Sequence, residues 1–189
     1  MIYIKWFLLV TFNLVFKYLV AWPLTPFIVL FAKSDGWLPG WLSWFQTNDN
    51  SLDGDDGWKS GTRPFKNNDR RFYRYLNRCF WLWRNSLYGF NESVLSVKFC
   101  TGLDKICEIL VIKGHPGVSN GPKGKSGTVW RYYYLNGKLK AWQYYYIRRL
   151  KRWPGRCIRI NLGWKLFSYG GSSKTAHAAL SCWVNRFTP

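Results

Sequence analysis

Hydrophobic positions follow three different rhythms along the chain. Residues 1–32 are nearly unbroken, with 25 apolar residues and seven others: Lys5, Thr11, Asn13, Lys17, Pro23, Thr25 and Pro26. The stretch from Trp6 to Phe31 exceeds the roughly 20 apolar residues that a membrane helix needs. Lys17, near its middle, opposes insertion by roughly 2.5–3.5 kcal/mol, which the surrounding Leu, Phe, Val and Ile offset at a few tenths each. Asn13 and Lys17 are four apart, so a helix places both on one face. Pro23 and Pro26 predict a kink or an end about two thirds of the way along. Two other readings stand beside a membrane helix or hairpin. One is an apolar hairpin packed on the domain. The other is a cleaved signal, which fits less well because the run is long and aromatic and no A-x-A-like site follows.

From residue 33 the rhythm becomes helical and aromatic. Trp37, Trp41 and Trp44 fall at i, i+4 and i+7, which predicts a short helix capped by Ser34 or Asp35, with Pro39 in its first turn. Arg70 to Arg84 places Phe72, Leu76, Cys79, Phe80 and Trp83 at helical spacing, with Arg71, Arg74, Arg78 and Arg84 elsewhere around the cylinder. Gly89 then reads as the residue just past a helix stop.

Beyond residue 93 the period shortens to two. Val94 to Lys98 and Ile106 to Lys113 are strand candidates, and Asn136-Gly137 between aromatic runs is a strong hairpin signal. A two-residue turn pairs Leu135 with Lys138, Tyr133 with Lys140 and Arg131 with Trp142. Pro154-Gly155 predicts a second turn. Alternation then puts Trp130, Tyr132, Tyr134, Ala141, Tyr145 and Ile147 on a core face. It gathers Arg131, Tyr133, Lys138, Lys140, Trp142, Tyr144, Arg148, Arg152 and Arg159 on the other. The expected class is therefore α+β: an N-terminal hydrophobic membrane helix or hairpin, helical segments, then a mainly antiparallel sheet. Three regions follow, with an anchor over 1–32, an aromatic shelf and acidic loop over 33–69, and a basic α+β domain over 70–189 whose β-meander covers about 93–167.

Charge sharpens this picture. Among 189 residues, 28 Lys+Arg face 9 Asp+Glu, a formal +19, and no acid follows Glu108. Such a balance points to an anionic partner. Interleaved cations and aromatics on one sheet face suit anionic headgroups, stacked bases of single-stranded nucleic acid, or packing beneath another element. Five cysteines without a CxxC pair read as thiols in a reducing compartment, so neither zinc nor another cofactor is expected. Gly124-Lys125-Ser126 imitates the end of a phosphate-binding loop, but Ser119 stands where the leading glycine is required and a strand follows. Asp49, Asp53, Asp55 and Asp56 crowd one loop. They suit pairing with Arg63, Arg70 or Arg71, a hard cation, or catalysis with a polar helper such as His115, although no EF-hand pattern is present.

The segments WFQTNDNSLDGDDGW, YLNRCFWLWRNSLYGF and VNRFTP resemble an uncharacterised family of small tailed-bacteriophage proteins, marked by W-F-Q-T-x-D-N-x-L-D-G-D-x-G-W and W-L-W-R-N-x-x-Y-G-F. Asn48 and Ser86 stand where that family usually has proline. The resemblance implies a phage accessory protein in an infected bacterium and carries no catalytic role. The leading expectation is attachment to the cytoplasmic face of the host inner membrane, because cations concentrate after the apolar run. There the protein would bind an anionic membrane surface or a host or phage protein. The alternatives are a metal-assisted enzyme acting on lipid or envelope material through the acidic loop, and a nucleic-acid-binding protein.

Overall fold

A computed structural model describes residues 1–66, 70–99, 108–119, 124–168 and 175–186. Cys100, Cys107, Lys123 and the closing Phe187-Thr188-Pro189 lie outside them. The architecture is α+β, with an apolar N-terminal helix, further helices and a five-stranded antiparallel sheet. It divides into two compact units: Met1–Val10 with Leu95–Pro189, and Thr11–Val94.

The apolar helix does not end at its prolines. α1 (Ile2–Phe16) passes through a π-helical turn at Lys17–Ala21 into α2 (Trp22–Leu30). That turn lets the Trp22 N–H donate to the Lys17 carbonyl, five residues back. Pro23 thereby sits in the first turn of α2, where a missing donor is harmless. Pro26 leaves the Trp22 carbonyl without its helical donor. The Trp83 indole N–H supplies one at 2.9 Å, and the Tyr75 hydroxyl donates to the Pro26 carbonyl at 3.0 Å. Both side chains belong to α3 (Arg71–Arg84), so tertiary hydrogen bonds carry the helix across its breakers.

The helical unit is built around Ile28, Val29, Leu38, Leu42, Leu52, Trp58, Cys79, Trp81 and Leu82. The tryptophan segment is a 3₁₀ turn at Gly40–Phe45 entered from Pro39, not a helix opened at Ser34 or Asp35. Asp35 instead accepts the Trp37 backbone N–H at 3.0 Å. Leu38 and Leu42 face the core, while Trp41 is 70% exposed. The buried side of α3 also differs from the aromatic stripe. Asn77 and Arg78 turn inward with Cys79, Trp81 and Leu82, and Phe72 is left 64% exposed. Specific polar contacts set that rotation: Asn77 exchanges hydrogen bonds with the Phe65 backbone at 3.2 and 3.1 Å.

After α3 the left-handed residue is Leu87 (φ 58°), and Gly89 lies within α4 (Tyr88–Phe90). Gly89 is required for another reason. Its N–H donates to the Gln46 carbonyl at 2.8 Å, and a Cβ there would stand 2.7 Å from the Ser43 carbonyl oxygen and 3.0 Å from that of Gln46. Backbone cannot yield as a side chain does. Gly89→Ala is therefore expected to destabilise by about 1–3 kcal/mol. A urea midpoint equal to that of the native protein would refute this close approach.

In the other unit, β2 (Glu108–Gly114), β3 (Gly127–Leu135), β4 (Lys138–Arg149), β5 (Arg156–Trp164) and β7 (Ala178–Arg186) form the sheet in that order. A second, two-stranded sheet pairs β1 (Val97–Lys98) with β6 (Thr175–Ala176). The predicted strand start at Val94 is instead a π-helical turn, Asn91–Leu95. Asn136 (φ 50°) and Gly137 (φ 71°) make the expected tight turn.

Register departs from expectation two residues into β4. Leu135 pairs with Lys138 and Tyr134 with Leu139, but Tyr133 then pairs with Ala141 and Arg131 with Gln143. A β-bulge at Lys140 inserts one residue, and one residue is enough to exchange the faces. Val129, Arg131, Tyr133, Ala141, Gln143, Tyr145 and Ile147 form the buried face. Trp130, Tyr132, Tyr134, Trp142, Tyr144 and Tyr146 line the other.

Candidate functional site

The sheet does not assemble the expected basic aromatic face. Arg131, Tyr133 and Arg159 lie on the buried side, Trp142, Tyr144 and Arg148 on the opposite one. Lys138 and Lys140 are exposed at the hairpin tip and bulge, and Arg152 is exposed in the β4–β5 turn. What joins Arg131 to its neighbours is a polar row crossing three strands. Its guanidinium donates to Gln143 Oε1 at 3.2 Å and to the Pro116 carbonyl at 3.4 Å, and Gln143 Nε2 donates to Asn161 Oδ1 at 2.9 Å. Burial lowers the Arg131 pKa and raises that of Tyr145. Tyr133 donates its hydroxyl to Glu108 at 2.9 Å. This is internal architecture.

On the opposite face Trp142 is covered from the helix start. Tyr3 and Trp6 approach its ring at 4.9 and 5.1 Å, and the Trp6 indole donates to the Gly163 carbonyl at 3.0 Å. Trp130 and Tyr144 extend the cluster at 4.7 Å, and the Lys113 ammonium stands 5.6 Å from the Tyr132 ring centre.

The acidic loop is divided among separate tasks. Asp53 takes both ends of a fork from Arg78 at 2.7 and 2.8 Å, while that guanidinium also donates to the carbonyls of Lys33 and Ser34. Asp55 accepts the Trp58 N–H at 2.6 Å as a helix cap. Asp49 and Asp56 are exposed. His115, in the sheet unit, is exposed and accepts the Gly117 N–H on Nδ1 at 3.0 Å. Among the described residues no three His, Cys, Asp or Glu gather closely enough to hold a metal ion. Cys79 and Cys157 are buried and form no disulfide, Cys182 is exposed and forms none either, and burial pushes the Cys79 thiol up.

The most distinctive surface is the N-terminal helix. Ile2–Leu30 is long and apolar enough to cross a membrane. Its sides are unequally covered. Phe7, Leu8, Phe12, Val15, Leu19, Trp22, Phe27 and Leu30 are exposed, Leu19 by 72%. Between them the opposite stripe packs on protein: Trp6 in the sheet unit, and Phe16 against Phe90 at 5.8 Å, Ala21, Thr25, Ile28 and Val29 in the helical unit. Asn13 and Lys17 are half-buried and so belong to the covered side. Exposed Trp41 stacks edge-on to exposed Phe31 at 5.4 Å, and exposed Trp44 lies 5.7 Å from Phe90. Sequence periodicity could not find this stripe, because both sides of the helix are apolar.

Fold and surface together define a class: a small basic α+β protein with one apolar helix open along one side. The chain belongs to a family of unknown function, DUF7338, whose model matches residues 1–189. No curated protein and no solved structure matches it.

Proposed function

We propose that this is a phage accessory protein that lies on the cytoplasmic face of the host inner membrane and acts there by binding. The carrying observation is the open apolar stripe of Ile2–Leu30. A helix apolar all round needs an apolar neighbour on every side. Protein supplies one side, and a bilayer suits the other.

The same packing favours a helix lying in the membrane surface over one that crosses it. Within the helical unit, Phe16 packs on Phe90, and the Trp22 and Pro26 carbonyls accept from Trp83 and Tyr75. Among the described residues only one helix is long enough to span. A helix crossing the bilayer would carry these packed side chains and their polar neighbours into hydrocarbon. In-plane insertion preserves these contacts and keeps half-buried Asn13 and Lys17 out of hydrocarbon. Trp41 and Phe31 suit headgroup depth, where aromatic residues concentrate. The resemblance to phage proteins and the acid-free basic segment after Glu108 support the source and the anionic side.

Vesicle flotation of the full chain tests this. Phe7→Asp with Leu19→Asp should reduce attachment more than tenfold, since a central acid opposes insertion by roughly 2.5–3.5 kcal/mol on membrane scales. Both residues are exposed, so the thermal midpoint should hardly move. Undiminished flotation would refute the stripe as the attachment surface. Attachment to anionic vesicles should also weaken as salt rises past physiological strength, where screening acts over about 8 Å. Salt-independent attachment would remove the electrostatic part.

A further inference from the structure

Where α2 ends, the helical unit has a cleft of about 390 Å³. Val29, Leu30 and Ala32 form one wall, and Lys33, Arg71, Arg74 and Arg78 line the rest together with Ser34 and Tyr75. We infer that this cleft receives the phosphate headgroup of an acidic phospholipid. The inference deepens the attachment reading and rests on it for the lipid source, because exposed Leu30 joins the cleft to the open stripe.

Each wall has a separate role. Arg71, Arg74 and Arg78 follow at three and four residues, so α3 turns them to one side. Arg78 is spent on Asp53 and on the Lys33 and Ser34 carbonyls, which fixes the floor and the path of the chain leaving α2. Arg71 and Arg74 are exposed, as is Lys33. Among the described residues none offers them an ion pair. Three cations converge on one concave space, and arginine forks match phosphate oxygens in pairs. Arg71 is also the first residue of α3, so the positive end of that helix lies beside it. The apolar wall is unsuited to a freely hydrated anion but suits the glycerol and first acyl carbons of a lipid. Sequence shows the 71, 74, 78 spacing, yet not that Lys33 meets it.

The test titrates the full chain, in neutral detergent, with soluble dihexanoyl phosphatidic acid by calorimetry. Dihexanoyl phosphatidylcholine and inorganic phosphate serve as the other arms. A cation near an anionic headgroup contributes about fivefold in affinity, so R71Q/R74Q should bind phosphatidic acid about thirtyfold more weakly. K59Q/K151Q removes equal charge from exposed positions elsewhere and should bind as the native chain does. The thermal midpoint of R71Q/R74Q should match the native value. Unchanged affinity in R71Q/R74Q, or an equal loss in K59Q/K151Q, overturns the cleft. Inorganic phosphate binding as tightly as phosphatidic acid overturns the lipid assignment. Failure to float on vesicles while this titration holds would count against membrane attachment and not against the cleft.

Discussion

Asp53→Ala is expected to destabilise the protein by about 3 kcal/mol, whereas Asp49→Asn and Asp56→Asn should each stay within about 0.5 kcal/mol. The Arg78 side chain is only 10% exposed, and Asp53 is its carboxylate partner at 2.7 Å. Removing the acid strands a charge that folding has already taken out of water. The carbonyls of Lys33 and Ser34 remain, but neither carries a compensating charge. Because that guanidinium ties the end of α2 to α3 and to the loop at Asp53, its loss loosens three segments together. Replacing both partners, with Arg78→Met and Asp53→Leu, should recover more than half of the loss, since no charge is then left buried. Equal urea midpoints for Asp53→Ala and the native chain would show the pair to be ornamental. That result would return Asp53 to the candidates for chemistry.

Gln143→Leu is expected to cost about 3 kcal/mol and lower the thermal midpoint by roughly 10 °C. Gln143 is fully buried and serves two neighbours, accepting from Arg131 and donating to Asn161. Leucine fills similar space but leaves a buried guanidinium short of one acceptor and a buried amide oxygen short of one donor. Arg131→Met in the same chain should restore part of the stability by removing the stranded charge, so the two changes should not add. Strict additivity would mean that the row is three independent contacts.

Much of the fold was readable because turns and periods are local. Asn136-Gly137 needed only its own chemistry, and the long apolar run only its length. Alternation alone misassigns the sheet faces, because the bulge at Lys140 has no local signature and a single inserted residue reverses every side chain beyond it. β7 carries a weak signal, because alanine and serine around Leu180 and Val184 blur a period-two pattern. The acidic loop reads as arginine pairing, but with Arg63, Arg70 or Arg71; the partner of Asp53 is Arg78, because α3 turns that side chain inward. The open stripe was least legible of all. A helix apolar on every side does not disclose which side protein will cover.

Nitroxide labels at Leu8, Val15, Leu19 and Phe27 of the full chain on anionic vesicles show how the apolar helix meets the membrane. Oxygen and nickel-complex accessibilities report the depth of each label. A helix lying in the membrane surface places all four in the acyl region at similar shallow depth, with a fifth label at exposed Lys138 in water. Depths rising from Leu8 to a maximum near Val15 and falling again toward Phe27 would show a crossing helix and rule out in-plane attachment. So would nickel access at all four positions equal to that at Lys138.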